Sequence, residues 1–187
     1  MQKEYDLSLP VAEAKKPLVL SDLLSVETFL RLNPHWIIES VTDAGGSFEA
    51  GIKDHVTEKK ISIKGTITAT APGRLVIIMD HDAYKTIEIF TTKEELMGIV
   101  TYGCTEDDLT EDVERHVVLW LRSVKEYLRM YLKDSLNAKI FRFMMNRIIL
   151  KMTPSQRKIS LMLIRITVVE IFVILLIVVG YVIFVLK

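Results

Sequence analysis

Apolar and polar residues alternate in short runs over residues 36–102, and the period changes abruptly after Gly103. A period of two marks a strand with one covered face, because successive side chains point to opposite sides. Residues 60–71 show it most clearly: Ile61, Ile63, Ile67 and Ala69 alternate with Ser62, Lys64, Thr66, Thr68 and Thr70. Residues 48–56 set Phe48, Ala50 and Ile52 against Glu49 and Lys53. Residues 36–41, 74–80, 86–91 and 95–102 read as further strands, and the unbroken apolar run in 74–80 suits a strand covered on both faces. Asp43-Ala44-Gly45-Gly46 and Pro72-Gly73 are turn signals, and Gly98 and Gly103 suggest a bulge and a stop. The short gaps predict hairpins, hence an antiparallel meander. Upstream, Tyr5, Leu7 and Leu9 alternate in a first strand over 3–11. Ser21-Asp22 opens a helix through Leu23, Leu24, Val26, Phe29, Leu30 and Leu32, which Asn33-Pro34 ends.

After residue 104 the period becomes helical. Val113, Val117, Trp120, Leu121, Val124, Leu128 and Tyr131 recur at steps of three and four, predicting one long amphipathic helix from Thr105 to about Lys133. Its acidic opening, from Glu106 to Glu114, suits the positive end of the helix dipole. A single apolar stripe needs the preceding sheet to cover it, which makes the class α+β, an antiparallel sheet wrapped around a long helix. Residues 135–151 predict another helix, with Lys139, Arg142, Asn146 and Arg147 on one side and Ile140, Phe141, Met144, Ile148 and Ile149 on the rest. That pattern fits a helix in a membrane interface; the alternative is a helix packed on the domain. Thr153-Pro154-Ser155 then breaks the chain.

Residues 166–186 carry one charge, Glu170, in 21 positions. As a helix they extend roughly 31 Å, the thickness of a bilayer's hydrocarbon core. Each apolar residue favours insertion by about 0.3–0.6 kcal/mol, against roughly 3 kcal/mol for a mid-membrane carboxylate. Glu170 lies in the first turns, so insertion is favoured. The expected organisation is a domain over 1–134, a basic juxtamembrane helix and linker over 135–158, and an anchor over 159–187.

Charge adds an orientation. The chain is formally neutral, yet residues 1–134 carry a net −7 and residues 135–187 a net +7. Lys139, Arg142, Arg147, Lys151, Arg157, Lys158 and Arg165 precede the anchor with no acidic residue among them, and only Lys187 follows it. The positive-inside rule therefore places the domain on the cytoplasmic face of the cell membrane. No apolar stretch follows the basic start, so no signal peptide is expected, and the single Cys104 excludes an internal disulfide framework. An acidic domain argues against nucleic acid as a partner.

The element order, with the Asn33-Pro34-His35-Trp36 junction and Trp120 in the final helix, resembles the helix-grip superfamily, which includes START domains, polyketide cyclases and plant pathogenesis-related lipid binders. The resemblance covers residues 3–133. It implies a cavity between sheet and helix for an apolar ligand such as a lipid, sterol or quinone. The layout with a membrane-associating C-terminal segment is similar to one branch of that superfamily, found with carbon monoxide dehydrogenase, without a motif match.

Candidate chemistry is sparse. His35, His55, His81 and His116 show no metal-ligand spacing, and Asp80-His81-Asp82 reads as a solvated turn between strands. No nucleophile elbow, phosphate loop or dinucleotide fingerprint occurs, so neither an enzyme nor a cofactor is expected. Ile63, Ile67, Ile89, Val117, Trp120, Leu121 and Val124 line a ligand cavity or fill a core, and both need the same apolar faces. Glu170 either pairs with a partner helix or reaches the headgroups. Two functions follow: a tethered binder of an apolar ligand, or an accessory subunit that docks a membrane complex through its transmembrane helix.

Overall fold

The computed structural model describes residues 1–11, 18–93, 95–106, 108–132 and 135–185. They form two compact units, Met1–Lys151 and Met152–Lys187. The first unit runs β1 (Gln2–Pro10), α1 (Leu20–Leu23), α2 (Val26–Arg31), β2 (Trp36–Ala44), β3 (Ser47–Asp54), β4 (Lys60–Ala71), β5 (Arg74–Met79), β6 (Tyr84–Thr91), β7 (Glu95–Tyr102), α3 (Glu111–Leu132), α4 (Leu136–Arg147) and a 3-10 turn, Ile149–Lys151. The strands make one antiparallel sheet in the order β1-β7-β6-β5-β4-β3-β2. Strands β2 to β7 are thus a meander, and β1 returns to pair with β7. The β2–β3 hairpin turns through Gly45 and Gly46, at φ +67° and +101°. A two-residue hairpin loop of this kind needs the left-handed region at both positions, which glycine enters without steric cost.

One face of the sheet is buried. Phe48, Ala50, Ile52, Ile63, Leu75, Ile77, Met79, Ile87, Ile89, Leu96 and Val100 point into a core shared with the helices. Strand β5 is therefore covered on one face and not on two: Leu75, Ile77 and Met79 are buried, while Ile78 is 51% exposed. Its apolar outer residues reflect strand propensity rather than burial. Gly98 forms no bulge. It sits in regular register opposite Tyr5 and Ile89, and an added Cβ there would lie 3.5 Å from the Leu121 methyls. That is ordinary van der Waals contact, so the fold leaves room for a methyl group at this position.

Helix ends also depart from the pattern. The helix expected over 21–32 is two short ones, because Ser25 leaves the helical region and its hydroxyl accepts from the Thr28 N–H at 3.2 Å, capping α2. Helix α3 begins at Glu111 rather than Thr105. In the approach, the Thr105 hydroxyl donates to Asp108 Oδ2 at 2.6 Å, a local bond that competes with helix formation.

The second unit is α5, Pro154–Val185. Thr153-Pro154-Ser155 starts this helix. Gln156 N–H donates to Thr153 Oγ1 at 3.3 Å and Thr153 N–H to Gln156 Oε1 at 2.9 Å, a capping box with proline in the first helical position. Residues Pro154–Ile183 have a mean hydropathy of 2.9 in their most apolar window and are long and apolar enough to cross a membrane. The helix extends roughly 48 Å, longer than the hydrocarbon core, so its first turns, with Arg157 and Arg165, exceed what a span requires. Leu186, Lys187 and the side chain of Lys158 lie outside the described residues, as do Lys133 and Asp134.

Candidate functional site

Helix α3 lies across the buried face of the sheet. Its inward side chains are Val117, Trp120, Leu121, Val124, Tyr127 and Leu128. Of the seven residues expected to line a cavity, Ile63, Ile89, Val117, Trp120, Leu121 and Val124 are buried in the core, and Ile67 is half-buried at its margin. Trp120 is the keystone. Its indole N–H donates to the Phe29 carbonyl at 3.0 Å. Its ring centroid lies 4.6 Å from Phe29, 4.9 Å from Trp36 and 5.8 Å from Tyr84. Asn33 supports this junction from its buried position, accepting the His35 N–H at 2.9 Å.

Two histidines join this aromatic cluster although they are far apart in sequence. His81 stacks on Tyr84 at 4.1 Å, and it is half-buried rather than a solvated turn residue. His35 stacks on His116 of α3 at 3.8 Å, and its buried Nδ1 has no hydrogen-bond partner among the described residues. Burial holds both His35 and His81 below the usual imidazole range, with the neighbouring His116 adding to the effect at His35. Asp54 faces the same cluster. Burial raises its carboxyl, but hydrogen bonds from Thr57 and Val56 outweigh that and hold it below the usual range. Among the described residues no group of three His, Cys, Asp or Glu side chains could hold a metal ion. Spacing along the chain carries no sign of the stacked histidine pair.

At the other edge of α3, a groove of about 300 Å³ runs between the helix and β1. Tyr5, Leu7, Val118 and Leu121 form its apolar floor, and Asp6, Arg122, Lys125 and Glu126 its polar rim. Leu121 is the one expected cavity residue that lines it. Beside the groove β1 is clamped to α3: Lys3 Nζ lies 2.9 Å from both Glu114 oxygens, and the Tyr5 and Tyr102 hydroxyls meet at 2.6 Å. The Tyr5 hydroxyl also donates to Glu114 Oε1 at 3.4 Å. The groove is large enough for a ring or a short chain and falls at the lower limit for small-molecule pockets.

The meander, the two short helices between β1 and β2, and the long helix gripped after β7 define a known architecture. This is a helix-grip fold. No family model matches the chain, and no curated protein matches it in sequence. Among solved structures it is similar to the AHSA1-like protein from Aeromonas hydrophila, at 15% identity over 72% of this chain and 97% of that one, with a TM-score of 0.47. It is also similar to a Chromobacterium violaceum protein, at 14% identity over 72% and 98% with a TM-score of 0.45. A START superfamily protein from Mycobacterium smegmatis shows 11% identity over 71% and 95%, with a TM-score of 0.42.

Helix α4 has an unusual polarity for a packed helix. Ala138, Arg142 and Met145 turn toward the domain and are half-buried. Arg142 lies 5.2 Å over the Tyr131 ring and donates to the Ala138 carbonyl at 3.3 Å, and Asn146 bonds both Tyr127 and Tyr131. Two of the residues assigned by pattern to a free polar side thus hold the helix to α3. The outward surface is apolar instead: Leu136, Ile140, Phe141, Phe143 and Ile148 are 45–74% exposed. Lys139 and Arg147 are exposed beside them, as are Arg165 and Glu170 on α5. The Arg157 guanidinium donates to the Met152 carbonyl at 3.0 Å.

Proposed function

We propose that this chain is a single-pass, membrane-tethered binding protein for an apolar ligand of the lipid, sterol-like or quinone class, working at the cytoplasmic face. The observation that carries the reading is the outward apolar face of α4, in a chain that continues into α5. An exposed surface of Leu136, Ile140, Phe141 and Phe143 costs solvation in water and gains it in the headgroup–acyl boundary. Lys139 and Arg147 beside it suit the anionic cytoplasmic leaflet. The α3–β1 groove is then the place where the grip opens to a guest. Its floor supplies hydrophobic contact, and Arg122 and Lys125 meet a polar end group.

Native mass spectrometry of the full chain released from nanodiscs, with organic extraction, tests this. A discrete co-released apolar molecule is expected, and it is lost when Val118→Trp fills the groove. An empty protein, or retention unaffected by Val118→Trp, would overturn the ligand reading.

Glu170 favours a second reading. A carboxylate sixteen residues into the apolar helix α5, with the small Gly180 further along it, suits contact with another transmembrane helix. The chain then serves as an accessory subunit. Loss of a co-purifying partner on Glu170→Leu, with the groove empty, would favour it.

A further inference from the structure

A second pocket, distinct from the α3–β1 groove, lies where α2, the C-terminal turns of α3, α4 and the 3-10 turn meet, with a volume of about 280 Å³. Its character is polar. On one wall the Tyr127 hydroxyl donates to Asn146 Oδ1 at 3.0 Å, Asn146 Nδ2 donates to the Tyr131 hydroxyl at 3.2 Å, and the two hydroxyls meet at 3.0 Å. This closed ring uses one Asn146 N–H and leaves the second able to donate. Burial and the Tyr131 hydroxyl raise the Tyr127 phenol above its ordinary range.

The charges lie on the other walls. Arg31 and Glu27 line the pocket as an ion pair, at 2.8 Å, with the guanidinium also reaching the Leu150 carbonyl at 3.4 Å. Lys151 and Asp22 line it too, and neither has an ion-pair partner among the described residues. A simple anion entering here meets two carboxylates, and a simple cation meets a guanidinium and an ammonium. A guest carrying both signs pairs its cation with Asp22 and its anion with Lys151, beside the existing Arg31–Glu27 pair.

We infer that this pocket binds a zwitterionic phosphorylated amino alcohol, of the phosphoethanolamine or phosphocholine class. The phosphate faces Lys151 and the Asn146 amide, and the ammonium faces Asp22. The pocket's volume of about 280 Å³ admits a compact headgroup, and its polar walls give an acyl chain no apolar surface to cover. Such a group has two sources, a bilayer lipid or a free metabolite. Lys151 stands three residues before Pro154, where α5 begins. The inference does not depend on a guest in the α3–β1 groove and stands if that groove is empty.

The test uses the full chain in nanodiscs of phosphatidylglycerol alone, titrated with phosphoethanolamine, phosphocholine, inorganic phosphate and ethanolamine and followed by ligand-detected NMR. In parallel, native mass spectrometry reads the lipid retained from nanodiscs that mix phosphatidylglycerol with phosphatidylethanolamine or phosphatidylcholine. Binding of a soluble zwitterion, or enrichment of a zwitterionic lipid over its bulk fraction, supports the site, and which one occurs identifies the source. Lys151→Gln and Asp22→Asn should each weaken the interaction about tenfold, the loss of one charge-assisted contact. Both side chains are exposed, so an unchanged melting midpoint is expected as the folding control. The inference is overturned if no zwitterion binds or is enriched, if inorganic phosphate binds as well as phosphoethanolamine, or if both variants leave the interaction unchanged.

Discussion

Replacing Trp120 by Phe removes the indole N–H and one ring from the centre of the core while keeping an aromatic in place. The structure sets the magnitude. The bond to the Phe29 carbonyl is buried at 3.0 Å, but that carbonyl also accepts from the Leu32 N–H at 3.3 Å, so it is not orphaned. The loss is then an ordinary hydrogen bond, about 1 kcal/mol. The missing ring leaves a void of roughly 40 Å³ against Phe29 and Trp36, about another 1 kcal/mol at ~24 cal/mol per Å³. With the lost transfer term the expected total is about 2–3 kcal/mol, or a fall in melting midpoint of roughly 4–12 °C for a unit of this size. The chain has two tryptophans, so Trp36, 4.9 Å away, remains as the fluorescence reporter in the variant. Chemical unfolding of the full chain in detergent, followed by Trp36 emission and circular dichroism, measures the change. A loss under about 0.5 kcal/mol would refute the assignment of Trp120 as the residue that ties α3 to α2.

Other expectations follow from single features. His35 and His81 are held neutral in the folded protein, whereas the unfolded chain protonates them near 6.5. Stability is therefore fully present above that pH and falls as pH drops below it toward the depressed folded values. Melting midpoints that fall no further between about pH 7.5 and pH 5 than those of a His35→Phe, His81→Phe double variant would contradict the reading. Gly65→Ala places a Cβ against the Ile78 carbonyl and 2.7 Å from the Phe48 ring, so it should destabilise by about 1–3 kcal/mol in chemical unfolding. Phe143, 63% exposed on the outer face of α4, should accept Trp without loss of fold. In nanodiscs that Trp should be quenched by brominated acyl chains, and unquenched emission would remove α4 from the membrane interface.

How much of this is legible in the sequence varies with the range of the interaction. Strands over 60–71 and 95–102 appear in the structure as β4 and β7 with the same bounds, because period-two alternation is local and each has one covered face. The break between α1 and α2 is hidden since Leu24 and Val26 keep the apolar spacing through it, and only the Ser25 cap interrupts the backbone. Gly98 reads as a bulge, yet it sits in regular register facing Leu121, twenty-three residues away on α3. The pairing of His35 with His116 depends on the α2–β2 junction meeting α3, and no local pattern encodes it. The facing of α4 is concealed for a related reason. Arg142 and Asn146 look like a free polar side until Tyr127 and Tyr131 of α3 provide partners, and the aromatic positions are then left outward.

Photo-crosslinking of the full chain with a diazirine-bearing lipid in native membranes tests most directly whether this is a membrane-tethered grip with a guest at its seam. Crosslinked peptides covering residues 5–7 and 118–126, in addition to α4 and α5, are the expected result, with the groove signal abolished by Val118→Trp. Labelling confined to α4 and α5, with the groove untouched, would contradict the binding function and leave a membrane-tethered scaffold.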